Sequence, residues 1–150
     1  MPATPETRSN HHETILAFDF GLRRIGVAVG QTVTRSASPV GVVSNSSGGP
    51  DWLRIGNLIK EWGASRLVVG MPYNVDGSPS EIVARVDTFM AGLKRFSLPV
   101  ESTDERYSSS EARQILVGKR KLGVRGRIGN ESLDAAAATL IAERWLKNAH

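Results

Sequence analysis

An acidic residue set between two strand-forming runs restricts the fold of this chain more than any other feature. The segment reads Ile15-Leu16-Ala17-Phe18-Asp19-Phe20-Gly21-Leu22-Arg23-Arg24-Ile25-Gly26-Val27-Ala28-Val29-Gly30. Two apolar runs flank a short Gly/Arg turn, so the pattern predicts strands over Thr14–Phe20 and Ile25–Gln31. Asp19 falls near the end of the first. A carboxylate at the edge of a buried sheet is tolerated only beside a cation, a hydrogen-bond donor or water. Such a position suits a divalent cation held against phosphate. The simpler alternative is a turn residue that stabilises the bend at Gly21. The choice depends on whether the rest of the chain supplies partner groups.

The remaining pattern reads as alternating helices and strands. A third strand is expected over Ala37–Ser44, followed by a Ser/Gly/Pro loop, Asn45–Pro50. Trp52, Ile55, Leu58, Ile59 and Trp62 recur at helical spacing within Asp51–Trp62. Arg66–Gly70 is a short apolar run suited to a buried parallel strand, and Met71–Gly77 reads as a loop. Ser78-Pro79-Ser80-Glu81 has the form of a capping box. The helix it opens would carry Ile82, Val83, Val86, Phe89, Met90 and Leu93 on one face. Pro99–Thr103 reads as a strand, and Ser108-Ser109-Ser110-Glu111 as a second capping box. Asn130 is placed to cap a last helix, Glu131–Asn148. Three strands in a meander followed by alternating helices and strands predict an α/β fold. Its mixed five-stranded sheet would carry helices on both faces. Right-handed crossovers would set the fourth strand beside the first and the fifth beyond it.

At 150 residues the chain suits one domain with a real core. The domain is expected over residues 14–148, and the polar segment 1–13 is expected to be a disordered tail without a hydrophobic signal core. His11 and His12 in that tail lack further ligands nearby and read as solvated. No apolar run approaches the length of a membrane span. There is no cysteine, so neither disulfides nor thiolate metal sites arise from this sequence.

Charge is unevenly spread. The net charge is +4, from 19 basic and 15 acidic residues. Gly118–Gly129 holds five cations (Lys119, Arg120, Lys121, Arg125 and Arg127) and no acid. Without that segment the chain has fourteen basic residues against fifteen acidic ones. The excess positive charge therefore sits in one Gly-rich stretch. It reads as an arm that contacts backbone phosphates of a polyanion without reading sequence.

Acids recur where strands end. Asp19 ends the first strand, Asp104 and Glu105 end the last, and Asp134 lies in the first turns of the last helix. The run Ala135–Ala138 would let that helix approach the sheet closely and bring Asp134 toward the strand ends, where α/β proteins place their sites. Taken singly, Asp104, Glu105 and Asp134 also fit ordinary charges flanking a helix start. Together they form a set of oxygen ligands suited to Mg²⁺ or Mn²⁺. Two such ions roughly 4 Å apart support phosphodiester hydrolysis. Asn74, in the loop after the fourth strand, has a place to contact phosphate or sugar, and equally fits a Pro/Asn/Gly turn that only turns the chain. Arg24 and Arg106 have places to pair with the acids or to bind phosphate.

These residues resemble the YqgF/RuvX family. Four motifs match in order: Asp19–Ala28, then Val69-Gly70-Met71-Pro72-Tyr73-Asn74-Val75-Asp76-Gly77, then Thr103-Asp104-Glu105-Arg106-Tyr107-Ser108-Ser109, then Leu133-Asp134-Ala135-Ala136-Ala137. They span Thr14 to about Leu146. The resemblance implies a ribonuclease H-like fold related to Holliday-junction resolvases. It implies a bacterial, cytoplasmic nuclease that matures the 5′ end of pre-16S ribosomal RNA, in a family also described as Holliday-junction resolvases. It carries the acidic site over to Asp19, Glu105 and Asp134, with Asp104 adjacent to it. The departures are Tyr107-Ser108-Ser109, where Leu or Tyr followed by Ser/Thr-Thr is usual, and the N-terminal extension. Neither removes a ligand.

The first expectation is thus a metal-dependent endonuclease acting on structured RNA, as monomer or homodimer. A DNA junction resolvase would use the same chemistry and require a dimer for paired cuts. A nucleic-acid-binding factor without nuclease activity is the third reading. The Asp-x-Gly hairpin also resembles the phosphate loop of actin-like ATPases, but those close two lobes over the nucleotide and this chain is too short for that.

Overall fold

The first hairpin forms as its pattern predicts. In the computed structural model, which describes residues 12–72, 82–104 and 130–148, β1 (Thr14–Asp19) pairs antiparallel with β2 (Arg24–Gln31). β3 (Ser36–Ser46) continues the meander on the far side of β2. Its pairing shifts between Val27 and Ala28, which face Gly41 and Pro39, so Val40 is the extra residue of a bulge. Gly41 takes φ 151°, a backbone state that favours glycine.

The segment expected to be a loop, Asn45–Pro50, instead ends β3 and turns back as β4 (Gly49–Pro50). Among the described residues the sheet accordingly has six strands rather than five, in the order β4-β3-β2-β1-β5-β6. Ser/Gly/Pro composition marks the turn but does not show that its flanks pair, because the register is set by β2. α1 (Trp52–Trp62) starts where Asp51 accepts a hydrogen bond from the Arg54 amide at 3.1 Å and ends at left-handed Gly63. Ile55 and Leu58 are buried, whereas Trp62, the last of the apolar series, is 38% exposed.

β5 (Arg66–Met71) lies parallel to β1, and β6 (Val100–Asp104) lies parallel to β5, as right-handed crossovers require. α2 (Val83–Leu93) buries Val86, Phe89 and Leu93, and Ile82, Val83 and Met90 pack against the same core. The capping box expected at residues 78–81 lies outside the described residues, as do the helix expected after residue 108 and residues 1–11. Glu13, assigned from the sequence to the tail, is tied into the domain. Its amide donates to Thr32 Oγ1 at 2.8 Å and its carboxylate receives Arg66 Nε at 2.8 Å.

Strand alternation divides the core into two layers. Leu16, Phe18, Ile25, Val27, Leu67 and Val69 face α1 and α2. Ile15, Ala17, Ala28 and Val68 face α3 (Asn130–Asn148), where they meet Ala138, Ile141 and Ala142. Helices therefore cover both faces. No helix among the described residues is long and apolar enough to cross a membrane.

Candidate active site

Small residues set how closely α3 approaches the sheet. On β2 the positions facing α3 are Arg24, Gly26, Ala28 and Gly30. A Cβ placed on Gly26 would lie 2.1 Å from the Asp134 carbonyl oxygen, and one on Gly30 would lie 3.3 Å from Leu146 Cδ1. The first separation is impossible for any side chain. Gly26 thus admits the start of α3 directly onto the backbone of β2, and Ala135, Ala137 and Ala138 are buried as the helix passes over.

Register then brings Asp19 to the same place. Asp19 is the direct cross-strand partner of Gly26. Opposed residues of an antiparallel pair project to the same face, and the odd-numbered positions Ile15 and Ala17 of β1 face α3. Asp19 therefore belongs to the α3 face, at the end of β1 and beside the residue on which Asp134 rests. The sequence placed Asp19 and Asp134 at one sheet edge, and the structure brings these two together.

Arg24 occupies the next α3-facing position of β2. Its Nε donates to Asp134 Oδ2 at 3.0 Å, with the two side chains 35% and 27% exposed. The sequence left Arg24 open between phosphate contact and partner of the acids. It is a partner of Asp134, a bond that fixes the carboxylate's rotamer and offsets its charge.

The strand on the other side of β1 supplies a second glycine. The parallel register pairs Phe18 with Val69, and one further step sets Asp19 level with Gly70. Gly70 in turn pairs with Thr103 on β6. Gly26, Asp19, Gly70 and Thr103 thus form one row across the sheet. Asp19 has glycine on both sides, so no neighbouring side chain in that row fills the space beside it. Thr103 Oγ1 is buried and has no hydrogen-bond partner among the described residues. Asp104 pairs with Met71, which is buried in the core on the α1/α2 face. Glu105, Arg106, Asn74 and the cations Lys119, Arg120, Lys121, Arg125 and Arg127 lie outside the described residues. Among the described residues no three His, Cys, Asp or Glu side chains come together as a metal cluster.

The turn that carries Asp19 is held from outside. Asn45, the buried polar residue of the described core, donates from Nδ2 to the Gly21 carbonyl at 2.7 Å, and its amide donates to the Arg23 carbonyl at 2.9 Å. A Cβ on Gly21 would lie 2.4 Å from the Arg24 carbonyl oxygen. Sequence reasoning missed Asn45, because it sits in a stretch whose composition reads as loop. It also missed the Gly26–Asp134 contact, since a glycine inside a strand signals close approach without naming the neighbour.

A family model described as RuvX, Holliday junction resolvase, matches residues 13–148. A protein named "Putative pre-16S rRNA nuclease" from Azotobacter vinelandii is 43% identical over 133 residues, 88% of this chain and 92% of the relative. Proteins of the same name from Coxiella burnetii RSA 493 and Pseudomonas aeruginosa LESB58 are 44% and 46% identical, over 92% and 88% of this chain and 95% and 90% of their own. Among solved structures, T. thermophilus RuvC in complex with Holliday junction substrate matches with a TM-score of 0.51 at 15% identity, covering 91% of this chain and 96% of that one. The fowlpox virus resolvase in complex with substrate Holliday junction DNA matches with a TM-score of 0.53 at 10% identity, covering 89% and 97%. At these identities the likeness is one of fold: the α/β architecture is the ribonuclease H fold of RuvC-like resolvases.

Proposed function

The chain belongs to the RuvX family, and from that premise we propose that it is a nuclease that hydrolyses phosphodiester bonds of structured RNA, with the 5′ end of pre-16S rRNA as its substrate. The names of its relatives support pre-16S rRNA as the substrate. The observation that carries the chemistry is the meeting of Asp19 and Asp134 through Gly26 at the carboxyl edge of the sheet.

Asp19, Glu105 and Asp134 are the proposed catalytic and metal-holding residues. Carboxylate oxygens are the donors that Mg²⁺ and Mn²⁺ prefer. Glycine flanks Asp19 on both sides of its row, and the Thr103 hydroxyl in the same row has no hydrogen-bond partner among the described residues. The residues present therefore fit such a group. Glu105 is favoured over Asp104 because position 104 shares its register with Met71, on the opposite core layer from Ala17 and Ala28. Two divalent ions held there would supply an activated water and neutralise charge on the leaving oxygen. The chain's own part is to hold and orient. Asp19 stands at a strand end whose turn Asn45 fixes, and Arg24 keeps Asp134 turned toward that edge. Asn74, Arg106 and the cations of residues 119–127 are proposed contacts to sugar and phosphate, and the compartment proposed is the cytoplasm. The cationic segment predicts affinity that falls steeply with salt.

The description of the family model favours a second reading, a resolvase cutting branched DNA. That reading requires a dimer for paired cuts. The deciding experiment sets a labelled pre-16S 5′ leader RNA beside a four-way DNA junction. Each is incubated with Mg²⁺, Mn²⁺ or chelator, using wild type and Asp19→Asn. Metal-dependent cutting of the RNA, lost in the variant, supports the ribosomal-RNA nuclease. Paired cuts in the junction alone establish the resolvase. If neither is cut, both readings fail in favour of a binding role.

A further inference from the structure

A cleft of about 500 Å³ opens one residue beyond Asp19, on the α1/α2 side of the sheet edge. Phe20, Trp52 and Phe89 give it an aromatic floor, with Phe20 tilted against Phe89 at a centroid distance of 5.2 Å. Ser46 of the β3–β4 hairpin and Thr88 and Arg85 of α2 form its polar walls. Among the described residues no carboxylate lines it, and Arg85 gives it a positive charge. Its size falls within the ~300–1,000 Å³ of small-ligand sites, enough for one nucleotide and too little for a duplex.

The hairpin wall is fixed before any ligand arrives. Asn45 ties the hairpin to the Gly21 and Arg23 carbonyls, and the Asp51 amide donates to the Ser44 carbonyl at 3.1 Å. Phe20 follows Asp19 directly, so the two Cα atoms are about 3.8 Å apart. A strand with a phosphate at the Asp19 edge would thus have its neighbouring nucleotide within reach of the cleft. An aromatic floor, hydroxyl walls and a guanidinium suit a base and its phosphate. They suit a purely apolar peptide less well, since the walls would strand it against hydroxyls.

We infer that this cleft binds one unpaired nucleotide of the substrate strand, next to the phosphate at the Asp19 edge. The inference rests on the nuclease reading and adds a subsite to it. Its position on the far side of the sheet edge from Asp134 means that the bound strand passes around the end of β1.

The test uses full-length protein carrying Asp19→Asn, for binding without cleavage, and a labelled RNA hairpin with a single-stranded arm. A single abasic nucleotide is walked along the arm. The expected result is a position-specific loss of affinity, about 5- to 100-fold, at one or two nucleotides. Ala84→Trp, which places a ring in the cleft from an exposed helix position, should bind all the abasic RNAs equally. Ser47→Trp does the same from the hairpin, and the melting temperature of each variant reports folding. A flat abasic profile overturns the cleft, as does a position-specific loss that persists in the folded blocked variants. Wild-type cleavage of the unmodified hairpin is scored separately. Cutting with a flat profile removes the cleft and keeps the nuclease, whereas absence of cutting removes the nuclease whatever the binding profile.

Discussion

Two clusters of acids and arginine lie at opposite ends of one sheet face, under the same helix. At the amino end of β1 and β5, Arg66 pairs with Glu13 and with Glu101, and its guanidinium lies 5.7 Å from the centre of the Trp145 ring. Trp145 Nε1 donates to Glu101 Oε1 at 2.8 Å. The hydrogen bond that Arg66 donates to Glu13, with the charges of Glu13 and Glu101, holds Arg66 above its ordinary pKa against the opposing cost of burial. A raised pKa in the folded state stabilises the fold wherever arginine is charged and is lost only in strong alkali, so this tie persists through the neutral range. At the carboxyl end, Arg24 pairs with Asp134, while Asp19 stands in a row whose neighbouring positions are Gly26 and Gly70. The first cluster is closed by an aromatic ring that spends α3 on fastening. The second replaces side chains with glycine, and at Gly26 the backbone of α3 takes the place a side chain would fill. Similar residue types thus fasten the fold at one end and form the proposed site at the other, and what separates them is the size of their neighbours.

Four substitutions test that contrast. The largest effect is expected from Asp19→Asn, which should lower cleavage by roughly 10³-fold, the scale of losing a group that acts on charge in the transition state. Its melting temperature should change by less than about 4 °C. A protein that still cuts would show that the carboxyl end is also merely structural. Gly26→Val comes next. The clash with the Asp134 backbone should push α3 off β2, at a cost of about 1–3 kcal/mol, and lower cleavage even in the fraction that stays folded. Unchanged activity at full folding, read by titrating active protein against circular dichroism, would separate Asp134 from the site. Arg24→Ala should lower cleavage about 10-fold, as loss of a group that orients a ligand does. Because the pair is about one-third exposed, its removal should cost under ~1 kcal/mol of stability. Arg66→Ala should do the reverse. Glu13 and Glu101 would lose their shared cation, lowering stability by about 1–2 kcal/mol, with cleavage unaltered well below the melting temperature. A tenfold loss of activity there would erase the difference between the two ends.

Much of the architecture was legible because its signals are local. Alternating apolar runs marked β1, β2 and β5, and helical spacing marked α1 and the core face of α2. The order of elements, with the handedness of parallel crossovers, placed β5 and β6 beside β1. The alanines after Asp134 announced a close approach of α3. The sixth strand was illegible, since two residues of Gly and Pro carry no strand pattern and pair only because β3 extends to meet them. Glu13 was misassigned for a related reason: a polar residue next to a polar tail becomes part of the fold only when Arg66, 53 positions away, reaches it.

The sequence by itself determined the layers of the core, the edge that Asp19 and Asp134 share, and the family. Each follows from periodicity or motif, which a chain carries residue by residue. Tertiary structure alone decided that Arg24 belongs to Asp134, that Gly26 is the seat of α3, that Asn45 fixes the Asp19 turn, and that Arg66 joins Glu13 to Glu101. Those pairings depend on register and on how closely backbones approach. Both are set by the packing of distant segments, and no local window of sequence contains them.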